Sequence, residues 1–575
     1  MKLVRRKTFD RIHQRLVKLY GIEAAAPLAE RLYMLIGRYG VESRVGAGAS
    51  LWNEKDVLLI AYGDSVKNGE EMPLQTLRTF CNTDLAGAIN TVHILPFNPA
   101  SSDGGFSVID YRAVSPELGG WRDIEQLRSN YGLMFDLVLN HCSRSSSWFK
   151  SYVNGVAPER NFFVEADPDE DLSQVTRPRP WPLLTPVETS RGTKHVWTTF
   201  SPDQIDLNFA SPDVLFEFLD ILLMYVDRGA RIIRLDAVAF LWKEIGTTCV
   251  HHEKTHEVVK LMRDMLTAVA PHVILLTETN VPHAENISYF GEGDEAQMVY
   301  NFALPPLLLH GLLRGDSTHL QKWAESLGEL PDNCTFLNFT ACHDGIGVRP
   351  ISSLVPDEEI NWLVEQTELR GGRVNMRSMP DGSKSPYELN ITYRDALSDP
   401  ENDRLGMRRF LLSQAIALSF RGMPAVYFHS LMGERTWQEG MENGENRDGN
   451  RRRWDLENLR EVIETGGSGH AYIFGHYTRM LRVRRTVRAF HPDGAQEILP
   501  TRKDRFAFLR LGERETVLCW FNFSGEATSL SKDWVEEQLG PGRFQNLLSG
   551  NYLQFEGGEE PVNPYSALWI IQEQE

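Results

Sequence analysis

RIIRLDAVAF, residues 231–240, sets Arg234 and Asp236 two positions apart inside an apolar run. On a β-strand alternate side chains share a face, so the guanidinium and the carboxylate point together into one cavity. The run is continuous, which is the pattern of a strand covered on both faces. A structural ion pair and a catalytic carboxylate kept ionised by its neighbour both fit these residues.

Similar runs recur on either side. DVLLIAY begins at Asp56, NTVHILPF at Asn90 and LMFDLVLNH at Leu133. HVILLTETN follows from His272, AQMVYNF from Ala296, TFLNFTACHD from Thr335 and GMPAVYF from Gly422. Helical patterns such as VLFEFLDILLMYVDRG and EVVKLMRDMLTAVA lie between many of them. Eight buried strands alternating with helices predict an α/β fold, a (β/α)8 TIM barrel. Polar residues collect at the ends of these runs: Asn140 and His141 at the third, Asp236 at the fourth, Glu278 at the fifth, His343 and Asp344 at the seventh. Strand ends share one face of a barrel, and the active site forms there.

The rest of the chain is organised around this barrel, expected over residues 51–484. Residues 1–50 read as helical, with Phe9, Ile12, Leu16 and Leu19 at helical spacing and Gly21 as a stop. Two stretches, about 142–205 and 348–400, are too long for bare connections and predict inserted subdomains that roof the site. Residues 485–575 carry RFAFLRLG, ETVLCWFNFSG and SALWIIQ, which predict a small antiparallel β domain.

Apolar residues make up 42% of the 575, ample for a core of this size. A formal net charge of -18 argues against nucleic acid as a partner. The six cysteines, Cys81, Cys142, Cys249, Cys334, Cys342 and Cys519, form no CxxC pair and read as reduced thiols of a cytoplasmic protein. The basic N-terminus lacks the apolar run of a secretory signal, and no segment reads as a membrane helix. Zinc-ligand spacing and an EF-hand loop are absent from the sequence, so neither a metal nor a cofactor is expected. Oligomeric state is not written in the sequence.

Taken together, SDGGF (102–106), LVLNH (137–141), IIRLDAVAF, LLTETN, ACHDG and NRDGNR (446–451) resemble the motifs of the α-amylase superfamily, in its sucrose-phosphorylase-like branch. Within the branch, WTTFSPDQIDLNF, RPRPWPLLTP, TETNVPH and SPYELN are most similar to glucosylglycerate phosphorylases, with sucrose 6-phosphate phosphorylases and sucrose phosphorylases as the alternative. The resemblance implies retaining glucosyl transfer with Asp236 as nucleophile, Glu278 as acid/base and Asp344 as the third carboxylate. It further implies that Asp103 and Arg447 clamp the far end of a glucose unit and that Phe106 and Phe200 sandwich it. His141, Gln204, Arg234 and His343 would contact its hydroxyls. Arg179 and Tyr387 would bind phosphate. The implied small molecules are glucosylglycerate, inorganic phosphate, glucose 1-phosphate and glycerate.

Two positions depart from the sucrose phosphorylase pattern: Asn280 stands where those enzymes carry histidine, and Glu388 where they carry glutamine. Both lie on the side that meets the acceptor. Glu388 is expected to accept a glycerate hydroxyl or to pair with Arg177 or Lys384, and a glycerate carboxylate would need a cation, with Lys384, Arg177 or Arg377 as candidates. A plain hydrolase would leave the phosphate-loop pattern without a use. A non-catalytic barrel protein would not need all three carboxylates.

Overall fold

The computed structural model describes residues 2–39, 50–179, 181–378 and 383–573. Eight parallel strands close into a barrel: β1 (Leu58–Ala61), β2 (Thr91–Ile94), β3 (Gly132–Val138), β4 (Ala230–Asp236), β5 (Ile274–Thr277), β6 (Met298–Tyr300), β7 (Thr335–Asn338) and β8 (Met423–Tyr427). Each pairs with its sequence neighbours, and β8 closes on β1 with Leu58 opposite Ala425. Every strand coincides with one of the eight apolar runs, with β3 and β4 beginning one residue before theirs. Helices cover the outside and side chains fill the inside, so nearly all strand residues are buried, as continuous apolar runs require.

Two N-terminal helices, α1 (Lys2–Tyr20) and α2 (Ile22–Tyr39), are separated at Gly21, whose φ of 87° breaks the first helix. Ile12, Leu16 and Leu19 bury against the barrel layer. The basic character of α1 has a local cause. Arg11 bonds Asp264 at 2.7 Å, Arg15 meets Glu257 at 3.2 Å and Asp294 at 2.8 Å, and Lys18 meets Glu257 at 2.6 Å. Glu257 and Asp264 lie on the helix Glu253–Val269 that leads from β4 to β5.

The connection after β3 carries the hairpin Leu184–Thr189 with Gly192–Trp197, and the strand His141–Ser143 paired with Gln204–Asp206. The connection after β7 carries the helix Asp357–Leu369 and a three-stranded antiparallel sheet of Ile346–Gly347, Lys384–Asn390 and Arg373–Ser378. Beyond the barrel, five antiparallel strands form one sheet in the spatial order 495–499, 505–511, 516–522, 567–572, 544–546. Arg510 ties this sheet to the barrel layer by donating to the Ser419 carbonyl at 2.8 Å. All six cysteines are buried and unpaired. No helix among the described residues is long and apolar enough to cross a membrane.

Candidate active site

Arg234 organises the floor of the site. It is 2% exposed, near the end of β4, opposite Asp136 of β3. Its Nη1 donates to Asp136 Oδ1 at 2.5 Å and to Asp236 Oδ1 at 2.6 Å, and its Nη2 lies 3.8 Å from Glu278 Oε2. Asp136 in turn bonds His93 of β2 at 2.7 Å. Burial alone would push the Asp136 carboxyl up, but His93 and Arg234 hold it down at about 2. The buried row His93–Asp136–Arg234–Asp236 therefore presents one carboxylate, Asp236, at the mouth of the barrel.

Asp236 is the last residue of β4, and Glu278 follows the last residue of β5. Ala237 turns the chain sharply after Asp236. Its φ of 48° is uncommon for a residue with a Cβ, and its N–H donates to Glu278 Oε2 at 3.0 Å. Burial pushes both carboxyls above the ordinary range. Arg234 opposes the rise at both; the charge of Glu278 adds to it at Asp236, and that of Asp344 adds to it at Glu278. Two carboxyls on one guanidinium in a buried site retain a proton between them. The direct Arg234 bond favours the charge on Asp236 and leaves the proton to Glu278.

Asp344 and His343 lie on the loop five or six residues beyond the end of β7, not at the strand end expected from the sequence, and Asn140 and His141 likewise follow the end of β3. Burial would raise the Asp344 carboxyl, but Arg447, at 2.8 Å, and Arg451, at 3.7 Å, bring it below the ordinary range. Burial and the nearby guanidiniums of Arg234 and Arg451 depress His343 well below the usual imidazole range, so it is neutral. Cys342, His343 and Asp344 bring three ligand atoms within 4.8 Å of one another. The same guanidiniums oppose a cation there.

Asp103 sits 3.8 Å from Arg447 and accepts from Gln204 Nε2 at 3.1 Å, while Gln204 and the Phe106 carbonyl hold His141 at 3.2 and 3.0 Å. The tight partners of Arg447 are Asp344 and Glu388. Phe106 stacks on His343 with centroids 4.7 Å apart and planes 8° from parallel, and Arg234 lies over its ring. Phe200 stands edge-on to Phe240.

Glu388 departs from the expectation. Its partner is neither Arg177 nor Lys384. Arg447 Nη2 and Nε donate to its two oxygens at 3.0 and 3.2 Å, Gly345 N–H donates at 3.0 Å, and Asn375 Nδ2 at 3.1 Å. Strand pairing explains this: Glu388 lies opposite Gly347 on one side and Asn375 on the other, so its side chain turns inward to Arg447. With four donors filled it has little capacity for a glycerate hydroxyl. Arg177 instead donates to the Trp181 carbonyl at 2.7 Å.

Asp236, Glu278, Asp344, Asp103, Arg447, Phe106, Phe200, His343, Asn280, Glu388, Arg179 and Tyr387 all line one cleft with an empty volume of about 680 Å³. His141 and Arg234 are buried against the cleft residues Phe106 and Asp236, and Gln204 lines the outer vestibule. Arg179 and Tyr387 come from the two connections after β3 and β7, with the guanidinium 5.8 Å from the ring centre. The cleft opens past Asp103, Arg179, Phe200 and Arg447 into an outer vestibule of about 1190 Å³, which Arg377 and Lys384 also line. The sequence reading did not single out His93, Asp136, Tyr300 over Arg234, Phe240 or Arg451. His93 and Asp136 each stand as a lone polar residue inside an apolar run, NTVHILPF and LMFDLVLNH, and Arg451 ends NRDGNR.

Known proteins match this fold and this chain. The family profile "Alpha amylase, catalytic domain" matches residues 87–330. Glucosylglycerate phosphorylase of Spirochaeta thermophila is 46% identical over 90% of this chain and 89% of its own. Glucosylglycerate phosphorylase of Allomeiothermus silvanus is 46% identical over 96% of this chain and 97% of its own. Among solved structures, sucrose 6F-phosphate phosphorylase from Thermoanaerobacter thermosaccharolyticum superposes with a TM-score of 0.72 at 25% identity, covering 83% of this chain and 96% of that one. The barrel, the convergent carboxylates and similarity of this extent lead to one conclusion: the chain belongs to the glucosylglycerate phosphorylase family of the α-amylase superfamily.

Proposed function

We propose that this protein is a retaining α-glucosyl phosphorylase that interconverts 2-O-α-glucosylglycerate and phosphate with α-glucose 1-phosphate and D-glycerate. One observation carries the reading. A chain 46% identical along nearly its whole length to glucosylglycerate phosphorylases holds Arg179 and Tyr387 on the wall of its carboxylate cleft. Arg supplies a fork of donors suited to phosphate oxygens.

The chemistry runs in two displacements at the anomeric carbon. Asp236 attacks it while Glu278 gives its proton to the glycosidic oxygen, so the bond to glycerate breaks and glycerate leaves with its hydroxyl restored. Glucose is then held as a β-ester on Asp236. A phosphate oxygen next attacks the same carbon, Asp236 leaves as carboxylate, and a phosphate proton returns to Glu278. Two inversions give the α-configured product. Arg234 orients Asp236 and favours its charged form. Asp344 binds sugar hydroxyls and favours the cationic transition state, and Asp103 and Arg447 clamp the far end of the glucose unit. Glu388 acts by fixing Arg447. The six free thiols support placement in the reducing cytoplasm.

The test compares acceptors in the synthetic direction. Glucose 1-phosphate is mixed separately with D-glycerate, glycerol, fructose and fructose 6-phosphate. The expected order places glycerate first in kcat/KM, since discrimination lies in transition-state binding. A higher value for fructose or fructose 6-phosphate overturns the glycerate assignment.

A further inference from the structure

Beside the cleft, against the backbone of its wall residue Asn280, lies a cation that the sequence does not single out. Arg349 lies on the 3-10 turn Arg349–Ile351, which follows the short strand Ile346–Gly347. It is only 9% exposed. Among the described residues its guanidinium forms no ion pair, and its one side-chain hydrogen bond is a long one of 3.5 Å from Nη1 to the Asn280 carbonyl. A buried guanidinium without an acid is costly, and the cost is relieved when an anion arrives.

Its surroundings point to the acceptor. Asn280 lies two residues past Glu278 on the cleft wall, and its side-chain Oδ1 is buried without a hydrogen-bond partner. Val348, next to Arg349, donates its N–H to the Tyr387 carbonyl at 3.2 Å, so the turn that bears the guanidinium is tied to the cleft residue Tyr387 as well as to Asn280. Gly347 allows this approach: a Cβ there would lie 2.5 Å from Asn280 Oδ1. Arg349 lines a third cavity of about 580 Å³ together with Arg377, Lys384 and Asp357, the last not within ion-pair distance of it among the described residues. Arg377 Nε is buried and unpartnered, whereas Lys384 is exposed. Two acids near this side have their cations elsewhere: Asp344 and Glu388 are both held by Arg447.

We propose that Arg349 is the specificity-determining cation of the acceptor site, receiving the carboxylate of an acceptor that lies against Asn280 and Tyr387. This rests on the glycerate reading above and adds the residue that selects the charge. Glycerol has the same carbon skeleton with a neutral hydroxymethyl group in place of the carboxylate, so it reports on the rest of the site.

The experiment measures kcat/KM for D-glycerate and for glycerol, from glucose 1-phosphate, in the wild type and in R349Q, R349K, R377Q and K384Q. The wild-type preference is established first; if glycerate is not preferred over glycerol, the functional reading fails before the variants are considered. Given that preference, R349Q is expected to lower the glycerate-to-glycerol ratio by about 100-fold, the scale for truncating one partner of a buried charged contact. R349K retains part of the ratio. A ratio in R349Q within a few-fold of wild type, or a larger collapse in R377Q or K384Q, overturns the proposal and leaves the phosphorylase reading intact. Partial misfolding of R349Q scales both rates by the same folded fraction, so the ratio still reports the folded enzyme and decides the proposal.

Discussion

Arg447 grips Glu388 with two parallel hydrogen bonds, at 3.0 and 3.2 Å, while its third nitrogen reaches Asp344 at 2.8 Å. One guanidinium thus joins the loop after β7, the inserted sheet and the segment 446–450 that bears Arg447. Glutamine at 388 would keep the shape, lose the charge and accept only one of the two bonds well. E388Q is expected to raise KM for the glucosyl donor and to lower kcat/KM by about 10- to 100-fold, as for a charge-assisted bidentate pair. The ratio of glycerate to fructose as acceptors should hardly move. Steady-state kinetics with both acceptors check this, and a switch of preference to fructose would place Glu388 in the acceptor site.

The Asp136–Arg234 bond predicts a stability effect as well as a catalytic one. D136N leaves Arg234 with its full charge and one fewer acid, and breaking such a buried pair costs about 3 kcal/mol. The sign with pH is fixed. The folded Asp136 titrates at about 2 against an ordinary 3.8. Its contribution is present above about pH 4 and disappears as pH falls to 2, a loss of about 2 kcal/mol. Tm of D136N should therefore lie well below wild type at pH 7, and the gap should narrow in acid. A gap independent of pH contradicts the assigned charge on Asp136.

The coupling of Asp236 to Glu278 sets the pH profile. The first step needs Asp236 charged and Glu278 protonated, so kcat/KM for the disaccharide should be bell-shaped, with both limbs belonging to the pair. On the acid limb Asp236 ionises while Glu278 is still protonated, so E278Q puts a neutral amide where a neutral acid stood. With α-glucosyl fluoride, whose leaving group needs no proton, this variant should lose the alkaline limb and keep the acid limb in place. An alkaline limb that persists in E278Q would show that Glu278 is not the group that loses its proton there.

Arg179 should matter in one half of the reaction. Phosphate enters after the first leaving group departs, so R179A is expected to slow deglucosylation by phosphate by about 10- to 100-fold and to affect formation of the glucosyl-enzyme much less. Single-turnover and steady-state rates separate the two. Equal losses would mean that Arg179 positions the whole loop.

The barrel was legible because its strands are covered on both faces, which leaves eight unbroken apolar runs in the sequence. Asp236 and Glu278 were legible for a related reason: each is the first carboxylate at the end of such a run. Glu388 was misread because its partner is 59 residues away and on another connection. Strand register in the inserted sheet, not local sequence, turns it toward Arg447. Arg349 was missed for the converse reason. An isolated Arg in GVRPIS carries no signal of its own, and its significance comes from burial without an acid. His93 and Asp136 were hidden in apolar runs, where a lone polar residue reads as an exception until the neighbouring strand supplies Arg234.

The central claim is that phosphate takes glucose from a glucosyl-enzyme with net retention. The most direct measurement follows 2-O-α-glucosylglycerate and phosphate with the enzyme by 1H and 31P NMR from the first turnovers. The account predicts α-glucose 1-phosphate and glycerate in equal amounts, with the α-anomer as the first product formed. β-Glucose 1-phosphate, or free glucose in place of the sugar phosphate, would contradict it.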